Sequence, residues 1–463
     1  MISYLRIKGF KSFHDFEIEF SPFTVIAGIN ASGKSNLFDA LTLLSKLAET
    51  DNIKKAFNEQ RGGFLELFTQ YGENKYATEM EFEADMLVEK NVTDAWGKTG
   101  ELKHTRLKYY IKIKRYTNAS GLEDIEVIEE SLNRFIKSQD KWFQVKVPKE
   151  KQDIWYPKVP GGRAKVFLYT TEENGVPTVI LPQDGTKGNK RRYPLKNATR
   201  SVLSSIDSVD FRHAYAAKEE MKSWRFLQLN PDDLRKATSK NTGEDVISVS
   251  GKNLAAVLHR IKVNDSYSLV EISRKLQTFL PVFSEVDVID DEVNKLYVIK
   301  LKDNEGKEYS SRVLSEGTLR ILALCILEYD DKHGGLLCFE EPENGIHPYR
   351  IKDMVNLLKD LSTSFESDMP LRQVIVNTHS PLLVGHISEW LKEDNFVSLW
   401  YANMVTKVIE TEGSTKMSFM ETKILPAISE IGKQLSIIEP TDQEKKIAVS
   451  SIQNYLKTIP SSS

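Results

Sequence analysis

Residues 24–40 read TVIAGINASGKSNLFDA, and no other stretch constrains the fold of this chain as strongly. The apolar run from Phe23 to Ala27 predicts a buried strand. Gly28 to Ser35 follows and fits G-x-x-x-x-G-K-[ST]. Asn36 to Leu44 then places apolar residues at helical spacing. Strand, glycine loop and helix together are the setting of a phosphate-binding loop, whose backbone N–H groups and helix N-terminus form a concave anion site. In that setting Lys34 reaches the β- and γ-phosphates, Ser35 offers its hydroxyl to Mg²⁺, and Gly33 lets the backbone approach phosphate closely. A nucleotide-binding α/β protein is the expectation.

Composition narrows the classes that remain. The 463 residues are enough for two or three domains' worth of core. A net charge of −3 excludes a uniformly basic polyanion binder, so a nucleic-acid surface has to be a local patch. The two cysteines, Cys325 and Cys338, both lie in apolar runs, which argues against disulfides and a zinc site. The polar N-terminus is unlike a signal peptide, and no run approaches the roughly 20 apolar residues of a membrane span. A soluble cytoplasmic protein is expected.

Along the chain, 2–9 and 15–20 alternate as two antiparallel strands, with Lys11 and Ser12 on the turn between them. Strands are predicted at 77–87, 104–115, 124–132 and 142–147, and strands with exposed loops over 148–200. Helical spacing begins near 201 and includes the segment ending RFLQLNPDDLRKAT, with Asn230-Pro231 as a helix start. Strand alternation returns at 284–302, with a turn near Asp290-Asp291. Then come a helix over 313–330, a strand at 336–339, a helix at 350–361 and a strand at 373–377. Strands at 396–404 and 406–412, a helix over 424–435 and a loose tail complete the reading. Alternating strands and helices imply a parallel α/β core. The expected divisions are 1–90, a strand-rich insertion 91–200, a helical subdomain 201–283, a second core part 284–393 and a C-terminal part 394–463.

Three later stretches can complete an active site. Leu314-Ser-Glu-Gly-Thr318 precedes an apolar helix, and its turn offers a hydroxyl and N–H groups to an anion. Leu336-Leu-Cys-Phe-Glu340-Glu341-Pro342-Glu343 delivers carboxylates at the end of a buried strand, where open α/β sheets bind ligands. One carboxylate can hold the Mg²⁺ shell and the next can orient or deprotonate water. Val374-Ile-Val-Asn-Thr-His379-Ser-Pro381 presents a histidine after another buried strand.

In this order the stretches resemble the ABC-type ATPase head of the RecF, SMC and OLD-like branch, the AAA_15 and AAA_21 predicted ATPases. IKGFKSF resembles that branch's N-terminus, GINASGKSN its Walker A, LSEGT its signature, FEEPENGIHP its Walker B and D-loop, and NTHSP its switch histidine. The resemblance implies a P-loop NTPase head with a mixed sheet, a strand-rich insertion and a helical subdomain. It also implies an ATP- and Mg²⁺-dependent ATPase whose heads pair head to tail as a homodimer. Lys34 and Ser35 then act in cis, with Asn30, Ser32, Gly33, Asn36, Lys11 and Ser12 also at nucleotide. Ser315 and Gly317 contact the partner's γ-phosphate, and Asn344 lies across the interface. Glu341 is the catalytic carboxylate, His379 senses the γ-phosphate, and Glu340 replaces the commoner Asp at the metal. Gln60 and Gln70 both fit the Q-loop.

The chain lacks the heptads of a long coiled coil and a Toprim nuclease pattern, so a compact switch acting through a partner effector is expected. By family analogy that role belongs to bacterial anti-phage defence or DNA maintenance. The alternatives are a RecF-like DNA clamp and a scaffold with negligible hydrolysis. Lys187 to Arg192 with Lys196 and Arg200, and Lys108, Lys112, Lys114 and Arg115, are the basic stretches a DNA contact would use, although charge runs are more often solvated faces.

Overall fold

The computed structural model describes residues 1–156, 166–184, 189–241, 246–332, 334–363, 365–366, 370–391, 394–410 and 416–427. Its centre is a six-stranded sheet, ordered Arg225–Leu227, Gly335–Glu340, Arg372–Thr378, Phe23–Ala27, Val397–Glu410 and Lys416–Pro426. The first five strands pair in parallel and the last is antiparallel. Phe23 to Ala27 is buried throughout, as expected of a strand covered on both faces.

An eight-stranded antiparallel sheet forms a second layer, with Ile2–Phe10 and Phe13–Glu19 at one end. Glu79–Leu87, Arg106–Thr117 and Glu123–Arg134 continue it, so residues on both sides of position 90 share one sheet. The helix Lys34–Glu49 lies between the layers. Its Leu37, Leu41 and Leu44 share one core with Ile7, Phe82 and Ile111 of the large sheet and with Ile26, Cys338 and Ile375 of the central one. Each such leucine contributes about 2 kcal/mol of apolar transfer. The opposite face of the central sheet packs Val25, Leu337 and Val374 against the helices Leu254–Asn264, Glu316–Glu328, Ile351–Asp360 and Pro381–Trp390. The helix that anchors the phosphate loop is thus clamped on both sides.

Several expectations are corrected. Residues 142–147 are not a strand: Lys141–Lys146 is a helix capped by Asp140, whose carboxylate accepts from the Phe143 N–H at 3.2 Å. Arg225–Leu227 is not helical but the edge strand beside Gly335–Glu340. The turn expected near Asp290-Asp291 falls later, where Lys295 adopts φ +56° between the strands Phe283–Asp291 and Leu296–Asp303. A single strand runs from Val397 to Glu410 where two were expected, and Ile424–Pro426 belongs to a strand rather than a helix. The rest of that expected helix, and the tail, lie outside the described residues. No helix among the described residues is long and apolar enough to cross a membrane.

Candidate nucleotide site

The phosphate loop turns sharply off its strand. Ala31 has φ +62° and Gly33 has φ +86°, so two left-handed residues direct the backbone around the loop. Gly33 is the N-cap of the helix, and among the described residues no side-chain hydrogen bond caps it, so the helix start keeps the character of an anion site. Asn30 is exposed on the loop and Ser32 is buried beneath it.

Lys34 is only 6% exposed. Its ammonium donates to the Gly28 and Ile29 carbonyls at 2.8 Å each and to Ser32 Oγ at 3.5 Å. Burial lowers its pKa, while the nearby charges of Glu341, Glu343 and Glu340 act in the opposite direction. The loop lysine therefore faces the carboxylates at the end of the strand two positions away in the central sheet.

Ser35 and Glu340 meet directly, the hydroxyl donating to Oε1 at 2.6 Å. Two hard oxygens from different elements lie side by side, and these donors suit Mg²⁺. Among the described residues no cluster of three or more His, Cys, Asp and Glu forms a metal cage. A Mg²⁺ site needs none, since that ion is commonly held by one or two protein oxygens with phosphates and water.

Glu341 has φ +48°, and its N–H donates to the Asn377 carbonyl at 2.8 Å. Its Oε1 lies 2.8 Å from His379 Nδ1, while Oε2 accepts from Asn344 Nδ2 at 2.9 Å. Asn344 therefore serves its own chain's carboxylate. Glu343 is buried and anchors the histidine turn: Oε1 accepts from Thr378 Oγ1 at 2.5 Å and from the His379 N–H at 3.3 Å. Burial raises its pKa, partly offset by these donors. Ser380 then caps the next helix, accepting from the Leu383 N–H at 3.3 Å.

Ser315 and Gly317 are placed differently. Ser315 caps the helix Glu316–Glu328, its Oγ accepting from the Thr318 N–H at 3.3 Å, and it is exposed. A Cβ on Gly317 would come within 3.1 Å of the Gly345 carbonyl, so this turn packs against the turn carrying Asn344. Val313 and Tyr349, on the same two segments, are 70% and 90% exposed.

On the other flank of the loop, Ser12 Oγ accepts from Asn36 Nδ2 at 2.7 Å and meets Thr422 Oγ1 at 2.6 Å. A methyl on Gly33 would overlap Thr422. Lys11 pairs with Asp39 at 2.7 Å, and Asp39 also holds Arg61 at 2.8 Å. A cavity of about 520 Å³ opens here, lined by Lys11, Ser12, Arg61, Gln70, Tyr76 and Phe419 among others. Gln70 thus faces this cavity, whereas Gln60 is buried and donates to the Ala56 carbonyl of its own segment. Asp39, Arg61 and Thr422 had no signal in the sequence; Glu343 stood within a recognisable stretch without an assigned role.

The basic stretches divide: several residues pair within the chain, while Lys114, Lys190, Arg191 and Lys196 are exposed. Lys108 pairs with Glu83 and Asp85, Lys112 with Glu79 and Glu81, Arg115 with Glu123 and Arg192 with Glu173. Arg200 donates to Ser204, and Lys187 lies outside the described residues.

A family model described as the AAA ATPase domain matches residues 1–384. The chain belongs to the AAA ATPase domain family. Membership agrees with the expected AAA_15 ATPase, and the sheets and helices described above agree with the expected mixed α/β fold. Among solved structures, this family member is similar to an Smc head bound to the C-winged helix domain of ScpA, at 13% identity and TM-score 0.49, covering 92% of this chain and 98% of that one. It is also similar to the SMC head domain from Thermotoga maritima, at 14% identity and TM-score 0.38, with 92% and 99% covered. A third is the Smc head with an extended coiled coil bound to the C-terminal domain of ScpA derived from Pyrococcus furiosus, at 11% identity and TM-score 0.41, with 92% and 96% covered. No curated protein matches this AAA ATPase domain protein in sequence.

Proposed function

We propose that the protein is an ATP-hydrolysing switch whose heads pair head to tail on ATP and drive a partner effector. The observation that carries this reading is the division of the site. The loop, Lys34, Ser35, Glu340, Glu341 and His379 converge, while Ser315 is exposed on a separate turn with Gly317 half-buried beside it. A second copy would bring its Ser315 and Gly317 to the phosphates held by the first. Exposed Ile29, Val313 and Tyr349 supply apolar contact for that pairing.

In this reading Lys34 leaves its carbonyl partners for the β- and γ-phosphates. Ser35 and Glu340 would hold Mg²⁺, which offsets the phosphate charge. Glu341 orients and deprotonates the attacking water, and His379 senses the γ-phosphate beside it. The output is the change between paired and separate heads, passed to a partner in a setting such as anti-phage defence or DNA maintenance. A DNA clamp gains less support from the strand 106–117, because Lys108 and Lys112 are already paired with carboxylates, so it would have to use the exposed Lys190, Arg191 and Lys196.

Lys34→Ala removes the charge that meets the phosphates. Calorimetry is expected to show ATP binding lost in this variant, and wild-type affinity would overturn the assignment of the loop.

A further inference from the structure

Asn377 is 1% exposed, and neither Oδ1 nor Nδ2 of its side chain has a hydrogen-bond partner among the described residues. Buried amides are almost always satisfied, so one with both ends free needs a reason. Its location suggests one. In the central sheet Asn377 is in register with Glu340 on one side and Ile26 on the other. Side chains alternate along a strand. Ile375 and Cys338, two residues before Asn377 and Glu340, both face the core beneath the loop helix. Asn377 therefore lies on the same sheet face as Glu340, whose carboxylate receives the Ser35 hydroxyl. Neighbouring strands are about 4.8 Å apart, a spacing that one water can bridge.

We propose that Asn377 is a positioning residue of the metal pocket. Its Nδ2 steadies the Glu340 carboxylate through a water, and its Oδ1 accepts from a water of the divalent cation. Such outer contacts orient the groups that touch a metal. They also give a reason for glutamate at 340: the longer side chain needs a neighbour to fix it. The proposal rests on Ser35 and Glu340 being the metal-holding pair.

The test separates a metal role from a packing role. An apolar residue of similar size, Asn377→Leu, removes the unsatisfied amide, so denaturant unfolding should show stability retained or raised. Binding of a non-hydrolysable ATP analogue is then titrated with Mg²⁺ by calorimetry. The leucine variant is expected to need roughly tenfold more Mg²⁺ for half-saturation, with metal-free binding unchanged. Asn377→Ser, which keeps a donor and an acceptor, should fall between leucine and wild type. A leucine variant with the wild-type Mg²⁺ requirement overturns the proposal. If leucine does not fold, an unchanged requirement in the serine variant overturns it instead. Ser35→Ala serves as the control. If it shifts the Mg²⁺ requirement and the Asn377 variants do not, only the role of Asn377 fails. If neither shifts it, the metal assignment fails and this inference with it.

Discussion

Glu341 joins two properties that a single substitution can separate. Its φ of +48° is left-handed, which costs a side-chain-bearing residue about 1–2 kcal/mol. Its carboxylate reaches His379 at 2.8 Å and Asn344 at 2.9 Å, in a partly exposed setting. Glu341→Gly releases the backbone strain. Against that, glycine frees the unfolded chain by roughly 0.5–1 kcal/mol, and the lost side-chain contacts are worth about 0.5–1 kcal/mol. The terms nearly cancel, so stability should stay within about 1 kcal/mol of wild type. Hydrolysis should fall by about 10²–10⁴, the usual contribution of a positioned acid or base. Glu341→Gln keeps the strained backbone and should lose activity equally. Urea unfolding and steady-state phosphate release measure the two quantities. Turnover within tenfold of wild type would refute the role of Glu341. A destabilisation beyond about 2 kcal/mol would show that its side chain holds the turn together.

Two further outcomes follow from contacts around the loop and the large sheet. Thr422→Val keeps the shape against Gly33 but removes the hydroxyl that meets Ser12, so urea unfolding should show a loss of about 1 kcal/mol. Burial pushes the Glu130 carboxyl up to about 7, although the Leu203 and Val202 N–H groups and the Tyr109 hydroxyl oppose the shift. A raised carboxyl favours folding below its ordinary range, and that stability is lost as pH rises from about 4.5 through about 7. Unfolding midpoints from pH 4.5 to 8 should therefore fall less steeply in Glu130→Gln, and an unchanged slope would refute the assignment.

The phosphate loop was legible because its strand, turn and helix are contiguous and each carries a local signal. The carboxylates at 340, 341 and 343 were legible for the same reason, as an acidic run ending an apolar strand. Other features depend on distant pairing. Arg225–Leu227 is three residues long, too short for any periodicity, and becomes a strand only through its register with Leu337 to Phe339. Thr422 touches Ser12, which lies 410 positions earlier in the chain, and no local pattern marks such a contact. Residues 142–147 carry Trp142 and Phe143 side by side, which reads as strand until the Asp140 cap is seen. Asn377 sat in a recognisable stretch, yet its importance lies in the partners it lacks.

The head-to-tail pairing is tested most directly by mixing two inactive variants. Lys34→Ala spoils the phosphate loop, and Ser315→Arg places a long cation where the partner's nucleotide would dock. Each variant alone should hydrolyse little ATP. A mixed pair keeps one intact site, in which the Ser315→Arg chain supplies the loop and the Lys34→Ala chain supplies Ser315. Mixtures should therefore regain ATPase activity that depends on protein concentration, with photo-crosslinked ATP found on the Ser315→Arg chain. Normal hydrolysis by Ser315→Arg alone, at a rate per chain independent of concentration, would contradict the shared site and leave a monomeric ATPase.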